Sequence, residues 1–302
     1  RMRALTALKS KSQSSIPEFS MAQVSKKTIN VRGRLLDLSV PQVMGIVNFT
    51  PDSFYKGSRV DSESKVVDRV GSMKEEGVAI IDVGGYSTRP GAPEVSVEEE
   101  THRILPVITT IKKNFPELII SVDTFRSHVA NVAVQEGAHI VNDVSGGTLD
   151  PEMFDTVARL RVPYILMHMR GTPKTMSQLT TYNNLVVDVI KELKGRIDTL
   201  RQKGVTDIVV DPGFGFAKDI SQNFEMLRNL CEFHQLGYPI LAGLSRKATI
   251  YRTLGTDAGN ALNGTTVLNT LALERGASIL RVHDVKAAAE AIKLWMETQR
   301  TN

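Results

Sequence analysis

Polar residues able to do chemistry recur in this chain at one kind of place, directly after a short run of Val, Ile and Leu. Met44–Phe54 reads Met-Gly-Ile-Val-Asn-Phe-Thr-Pro-Asp-Ser-Phe. Its apolar, strand-type run reaches Asn48 and passes at once into Thr50, Pro51, Asp52 and Ser53, residues that stop strands and hydrogen-bond loops. The arrangement returns at Asp82-Val-Gly-Gly, Asp123-Thr, Asn142-Asp143, His168-Met-Arg-Gly, Asp211-Pro-Gly, Gly243-Leu-Ser-Arg-Lys and Arg281-Val-His-Asp. Asp123, Asn142 and Asp211 offer carboxylate and amide groups, which suit a flat heterocycle with several ring donors and acceptors. Such a site discriminates well, because an analogue lacking one group leaves a buried polar atom unpaired. Asp123, with Thr124 and Ser127 beside it, is equally placed to cap the next helix. Asp211 is not, since Pro212 and Gly213 follow it.

Ser245-Arg246-Lys247, Arg281-Val282-His283 and Arg89 supply cations for a phosphate or carboxylate. Residues 281 and 283 alternate along a strand, so both side chains share a face. A bare Arg and His inside an apolar barrel would be costly, and pairing with a ligand anion resolves that cost. The alternative for His283 is a core imidazole whose Nδ1 is satisfied by backbone. In Asp211-Pro-Gly-Phe-Gly-Phe216 the glycines let the backbone turn sharply while an aromatic ring covers a substrate; core packing is expected of one phenyl group but not of both. The stretches Phe49–Ser58 and Tyr86–Pro93, rich in Gly, Ser, Thr and Pro, are expected to be mobile lids.

The elements that must carry these residues alternate. Thr28–Leu38, with a turn at Gly33, reads as a hairpin that plugs the bottom of a barrel. Strands are predicted at Val43–Asn48, Ala79–Val83, Leu118–Asp123, His139–Asp143, Pro163–His168, Asp207–Asp211, Pro239–Gly243 and Ser278–Val282. Helices are predicted at Ser62–Glu76 (with Val66, Val67, Val70 and Met73 on one face), Ser96–Asn114, Arg126–Glu136, Pro151–Arg159, Leu185–Lys203, Asn223–Leu236, Ala248–Leu254, Leu262–Arg275 and Val285–Thr298. Short strands buried on both faces and alternating with helices require a parallel sheet. Eight of them argue for an α/β fold of the (β/α)8 TIM-barrel type, whose strand C-termini share one rim and which takes about 250 residues. An open doubly wound sheet is the alternative, but it usually puts a Gly-rich dinucleotide turn after its first strand, and Asn-Phe-Thr-Pro-Asp-Ser-Phe is not one. On a closed rim Asn48, Asp82, Asp123, Asn142, Asp211, Lys247, Arg281 and His283 would converge.

With 302 residues, 41% of them hydrophobic, the chain can bury a full core, and a single domain over residues 21–302 is expected. Residues 1–20 are basic, Ser-rich and nearly free of acids, and read as a tag or leader rather than as part of the fold. The charge of +4 comes from 37 basic against 33 acidic residues without a dense basic stripe, so nucleic acid is a poor fit and a small anionic substrate a better one. No apolar run approaches the roughly 20 residues that span a bilayer. The lone Cys231 makes no internal disulfide, fits a reducing, cytoplasmic setting, and is expected to be a buried structural thiol.

Together these motifs resemble the dihydropteroate synthase family, from about residue 29 to 300. Met44–Phe54 is similar to its first loop motif, Asp82–Ala92 to its second, and Ser121–Asp123, Asn142–Gly146, Met167–Met176, Asp211–Phe216, Gly243–Lys247 and Arg281–Asp284 follow in the family's order. The resemblance implies condensation of (hydroxymethyl)dihydropterin pyrophosphate with para-aminobenzoate. It implies that Asp123, Asn142, Asp211 and Lys247 hold the pterin, with Met167 and Gly243 lining its pocket. It places Asn48, Arg281 and His283 on the pyrophosphate, Asn48 also on Mg²⁺, and Phe54, Thr88, Arg89, Phe216 and Ser245 near the aminobenzoate. Asp123, Lys247, Arg281 and His283 are then the residues expected to carry catalysis. Departures from the family pattern are Lys56 in place of a metal-binding Asp, Tyr86 in place of Glu, Ala217 and Asp219 in place of Gly and Thr, and Ala248 in place of Ser. The alternatives are a pterin-binding methyltransferase domain, which has no use for a pyrophosphate cluster, Schiff-base chemistry at Lys247, and a catalytically silent pterin-binding barrel. A homodimer through outer helices is expected, with Leu262–Leu273 contributing.

Overall fold

The computed structural model describes residues 26–49, 59–87 and 93–300. Both expected lids fall largely on the stretches 50–58 and 88–92, and lie there outside the described residues, as do Phe54, Lys56, Thr88 and Arg89.

A hairpin of β1 (Thr28–Val31) and β2 (Arg34–Asp37) precedes a closed barrel of eight parallel strands. The barrel strands are β3 (Gln42–Asn48), β4 (Ile80–Gly84), β5 (Ile119–Asp123), β6 (Ile140–Asp143), β7 (Tyr164–Met167), β8 (Ile208–Asp211), β9 (Ile240–Ala242) and β10 (Ala277–Val282). They pair in chain order, and β10 closes onto β3 with Arg281 opposite Met44. Closure leaves no sheet edge, so the open-sheet alternative is excluded.

The helices are α1 (Arg59–Glu75), α2 (Val97–Asn114), α3 (Ser127–Glu136), α4 (Met153–Leu160), α5 (Leu185–Gln202), α6 (Ile220–Arg228), α7 (Ala248–Thr253), α8 (Leu262–Glu274) and α9 (Val285–Thr298). Their starts follow capping chemistry. Ser96 accepts from the Glu99 N–H at 3.1 Å and Asn184 from the Val187 N–H at 3.2 Å. Each helix buries one stripe against the strands, as with Val189, Leu193, Ile197 and Leu200 of α5. None of the described helices is long and apolar enough to cross a membrane.

Inside the barrel the base is a layer of aliphatic side chains, one from each strand: Met44, Ile80, Ile119, Ile140, Ile165, Val209, Leu241 and Ile279. Ile29, Val31 and Leu38 of the hairpin segment pack beneath them, so the expected plug is in place. The Asn30 N–H donates to Asp207 at 2.9 Å, and Arg32 donates to the carbonyls of Val134 and Ala138.

Two expectations are corrected. The helix read over Asn223–Leu236 begins earlier and breaks. Asp219 and Gln222 form a reciprocal capping box that starts α6 at Ile220. After Asn229 the chain continues as a 3₁₀ turn, Leu230–Leu236. In that turn Leu230 and Phe233, three residues apart, face the core. Cys231 lies between them and is exposed, not buried.

Candidate active site

Every inward-pointing row of the barrel continues upward by steps of two residues. Two positions past the aliphatic layer the rows carry Asp82, Ser121, Asn142, Met167, Asp211, Gly243 and Arg281, and a further step brings Asp123 and Asn48 to the rim.

Arg281 is the hub. Its Nε donates to Asp82 Oδ2 at 2.7 Å and its NH2 to Asp123 Oδ2 at 2.6 Å, while Asn142 Nδ2 donates to the same Asp82 oxygen at 3.0 Å. Burial works against a charged guanidinium here, but Asp82 and Asp123 more than offset it and raise its pKa. Pairing with a ligand anion is therefore not what makes a buried Arg281 tolerable: two protein carboxylates already do so. Burial pushes Asp123 up toward neutrality, to about 7, with Arg281 pulling it down and the carboxylates of Asp82, Glu100 and Asp143 adding to the rise. The capping reading of Asp123 is excluded, since Arg126 is the N-cap of α3, makes no side-chain cap, and the Ser127 N–H donates to Asp150. Asn48 is exposed at the rim, and a Cβ on Gly84 would stand 3.1 Å from its Oδ1 and 3.5 Å from Asp123 Cβ, so this glycine leaves the two side chains adjacent.

Across the mouth, Asp211 Oδ1 accepts the Gly213 N–H at 2.7 Å. Burial raises its pKa, opposed by Lys247, by that N–H and by Arg281. Lys247 Nζ donates to Phe214 O and stands 4.8 Å from the centre of the Phe216 ring. Burial lowers its pKa to about 8, with Asp211 pulling the other way. A Cβ on Gly243 would lie 3.7 Å from Lys247 Nζ and 3.9 Å from Asp211 Oδ2, so Gly243 keeps a slot open between cation and carboxylate. Gly213 has φ +75, and a Cβ there would be 2.0 Å from His168 O, so the turn after β8 requires glycine at that place.

Both phenyl groups of that turn are buried, but in different company. Phe214 joins the main core, whereas Phe216 lies with Met167, Met169 and Met176 in a separate apolar shelf. Ser245 is buried, and its Oγ accepts the His283 backbone N–H at 3.1 Å and stands 3.0 Å from His283 Nδ1. Nδ1 is thus met by a hydroxyl and not by backbone, which corrects the core-imidazole alternative. Arg246 is not part of the cation cluster. It is left-handed at φ 53, forks onto both oxygens of Asp284 at 2.8 Å, and donates to the carbonyls of Ala258 and Gly259.

The family departures acquire physical content. Ala217, at a position where glycine is common, has φ 50, a conformation that costs a side chain about 1–2 kcal/mol. Asp219 in place of Thr keeps an N-cap oxygen, and Ala248 opens α7, where Lys247 makes no side-chain cap.

Sequence reasoning brought Asp82 to the rim without a role, and the structure shows it holding Arg281 and Asn142 together; what it left out is a buried group of Lys218, His168 and Glu192. Asp82 is detectable by its step of two from Ile80, the same step that separates Asp211 from Val209. Lys218 stands in no strand and has no periodic signal.

A family model described as pterin binding enzyme matches residues 44–283. The chain belongs to this pterin-binding enzyme family. Within it, the chain is 42% identical over 267 residues to a dihydropteroate synthase of Haemophilus influenzae, covering 88% of this chain and 96% of the relative. The structure of the Xanthomonas albilineans dihydropteroate synthase with 4-aminobenzoic acid superimposes with a TM-score of 0.84 at 40% identity, covering 92% of this chain and 100% of that one. The same enzyme in complex with 7,8-dihydropteroate gives a TM-score of 0.81 at 37% identity, with 91% and 100% covered.

Proposed function

We infer that the chain works as a dihydropteroate synthase, a transferase that joins (hydroxymethyl)dihydropterin pyrophosphate to para-aminobenzoate and releases pyrophosphate. The observation that carries the reading is the slot between Lys247 and Asp211 at Gly243, facing the Asp82–Arg281–Asp123–Asn142 cluster across the same mouth. Carboxylates and an amide on two sides suit the edge of a pterin, whose ring N–H groups need acceptors. As pyrophosphate leaves, the cation developing on the pterin methylene is delocalised into a ring held by Asp123 and Asp211, and Lys247 and Arg281 fix its orientation. On this reading Asn48 and His283, beside Asp123 and Ser245, would take the departing diphosphate. The Met167–Phe216 shelf gives the aminobenzoate ring an apolar wall, and its amine attacks without an activated nucleophile from the protein.

Among the described residues no cluster of His, Cys, Asp or Glu could hold a metal by itself. The exposed amide oxygen of Asn48 fits Mg²⁺ in a different way, because Mg²⁺ keeps several waters and takes its remaining ligands from one or two protein oxygens and substrate phosphates. Bound there with the substrate, Mg²⁺ would neutralise charge on the diphosphate. We also propose a homodimer in which a second copy covers the groove between α8 and α9, where Leu262 and Leu294 are 41% and 69% exposed beside Trp295. Sedimentation of a Leu294→Glu variant as a dimer would remove that proposal.

The test of function is pyrophosphate release from the full chain with both substrates, with and without Mg²⁺, beside Lys247→Ala and Asp211→Asn. Both substitutions are expected to lower kcat/KM by on the order of 10²-fold or more, since each leaves a polar group of the bound pterin unmatched. Parent-like rates in both variants would show that the pterin binds elsewhere. Equal rates with and without Mg²⁺ would remove the metal from the reading.

A further inference from the structure

Below the mouth sits a cation for which the reaction described above has no use. Lys218 is 8% exposed. Its ammonium lies 3.1 Å from Gly213 O, 3.0 Å from Phe216 O and 3.1 Å from His168 Nδ1. An ammonium has three N–H donors, and these acceptors take them all.

The imidazole is set to receive one of them. His168 is fully buried, and burial pulls its pKa down to about 4 although Glu192 opposes the fall, so the ring is neutral near pH 7. Its Nε2 stands 3.0 Å from Glu192 Oε2. A carboxylate only accepts, so the ring hydrogen is on Nε2 and the Nδ1 lone pair faces Lys218. Glu192 is anchored in turn by Arg170, whose Nε donates at 3.0 Å. Burial pushes this carboxyl up, but the hydrogen bonds from His168 and Arg170 outweigh it and hold the pKa at about 2.

What Lys218 grips is the turn that carries site residues at both ends. Gly213 and Phe216 bracket it, with the Phe216 N–H donating to Gly213 O at 3.1 Å. The Gly213 N–H orients the Asp211 carboxylate, and the Phe216 ring lies under Lys247. The backbone is strained just beyond, at Ala217, with φ 50. Such a conformation lasts only where its surroundings over-determine it. Here the Tyr182 hydroxyl donates to Ala217 O at 2.9 Å and Asn223 holds Gly215 N and Lys218 O, with Lys218 as the charged member of the set. Burial opposes that charge and lowers the lysine's pKa to about 7, with Asp211 pulling the other way. An apolar side chain would fill the space without this opposition, but would take the ammonium from Phe216 O and the imidazole nitrogen and leave Gly213 O with the Phe216 N–H alone.

We propose that Lys218 is a positioning residue for both substrates. From one ammonium it ties Gly213 O and Phe216 O to His168 at the end of β7, and so fixes the Asp211 carboxylate and the Phe216 ring relative to each other. The proposal rests on the dihydropteroate synthase reading of the mouth.

The test compares the parent chain with Lys218→Met and with Lys218→Gln, which keeps two N–H donors without the charge. Steady-state pyrophosphate release is measured against each substrate in turn, and amide hydrogen exchange over residues 211–218 is measured without substrate. In Lys218→Met the KM for both substrates is expected to rise about tenfold, roughly the effect of leaving one buried polar group unpaired, while kcat changes less. Lys218→Gln falls between the two. Exchange accelerates over residues 211–218 and not in the aliphatic layer at the base. Loss of folded molecules alone would lower apparent kcat and leave KM unchanged, so the KM shift separates positioning from a packing role. Unchanged KM values together with parent-like exchange in Lys218→Met would overturn the proposal. If the parent releases no pyrophosphate, the functional reading fails, and the exchange arm still decides whether Lys218 fixes the turn.

Discussion

The base and the mouth of the barrel are built from the same rows of side chains and meet opposite physical demands. At the base each of the eight strands contributes an aliphatic residue, from Met44 to Ile279, and the hairpin seals the layer with Ile29, Val31 and Leu38. Two residues higher, the same rows hold Asp82, Asn142, Asp211 and Arg281, and the packing gives way to ion pairs of 2.6 and 2.7 Å and a slot kept open by Gly243. The base removes apolar area from water and needs no partner. The mouth confines charge at low dielectric and depends on every group keeping its partner. Stability is therefore concentrated at one end and recognition at the other, as expected where the active site of a barrel occupies the C-terminal ends of its strands.

This contrast breaks most sharply at Arg281. Arg281→Met leaves Asp82 and Asp123 buried without their cation, and is expected to abolish measurable turnover and to cost about 3–5 kcal/mol of stability in urea titrations. Asp123, already raised by burial, would lose the pull of Arg281 and have a folded pKa further above its unfolded one. Folding would take up protons, and the variant should regain stability as pH falls toward 5. A loss that does not shrink on acidification would mean that the cluster is not the cause.

The complementary change at the base is Ile279→Ala, two residues below on the same strand. It creates a cavity and should cost about 2–4 kcal/mol, a loss that pH leaves untouched, while both KM values stay at the parent level in the molecules that remain folded. A rise in KM comparable to that of a mouth substitution would show that the two layers are coupled rather than separate.

The smallest effect concerns two lysines, Lys218 buried below the mouth and Lys247 half-buried in it. Lys218 and Lys247 have folded pKa values lowered to about 7 and about 8 from an ordinary lysine value of 10.5. Between those values the unfolded chain binds more protons than the folded one, so these groups make stability rise with pH from about 7 upward and add nothing more beyond 10.5. Urea midpoints followed from pH 7 to 9.5 should show a shallower rise in Lys218→Met than in the parent. A slope equal to the parent's would place the charge of Lys218 in a less buried setting.

Much of this was legible along the chain because it depends on local rules. The short aliphatic runs, the helical stripe of Val66, Val70 and Met73 and the polar residue at each strand end follow from side-chain periods of two and 3.6. With the ordered motifs, they sufficed to anticipate the barrel, its plug, and the convergence of Asp123, Asn142, Asp211 and Lys247. The partner that each charge takes was not legible. Arg281 reaches carboxylates 199 and 158 residues away, and they become neighbours only because β10 closes onto β3, beside β4 and β5. Arg246, adjacent to Lys247, turns outward to Asp284 because of a left-handed backbone that no composition rule marks. Lys218 lies in a loop without periodicity, and its acceptors are main-chain carbonyls and a histidine 50 residues earlier. The order of residue types thus determined which face of each strand would be apolar and where polarity would begin. Closure of the sheet decided which buried charges neutralise one another and which are left facing a substrate, because the energy of a buried charge depends on distances that exist only in the folded chain.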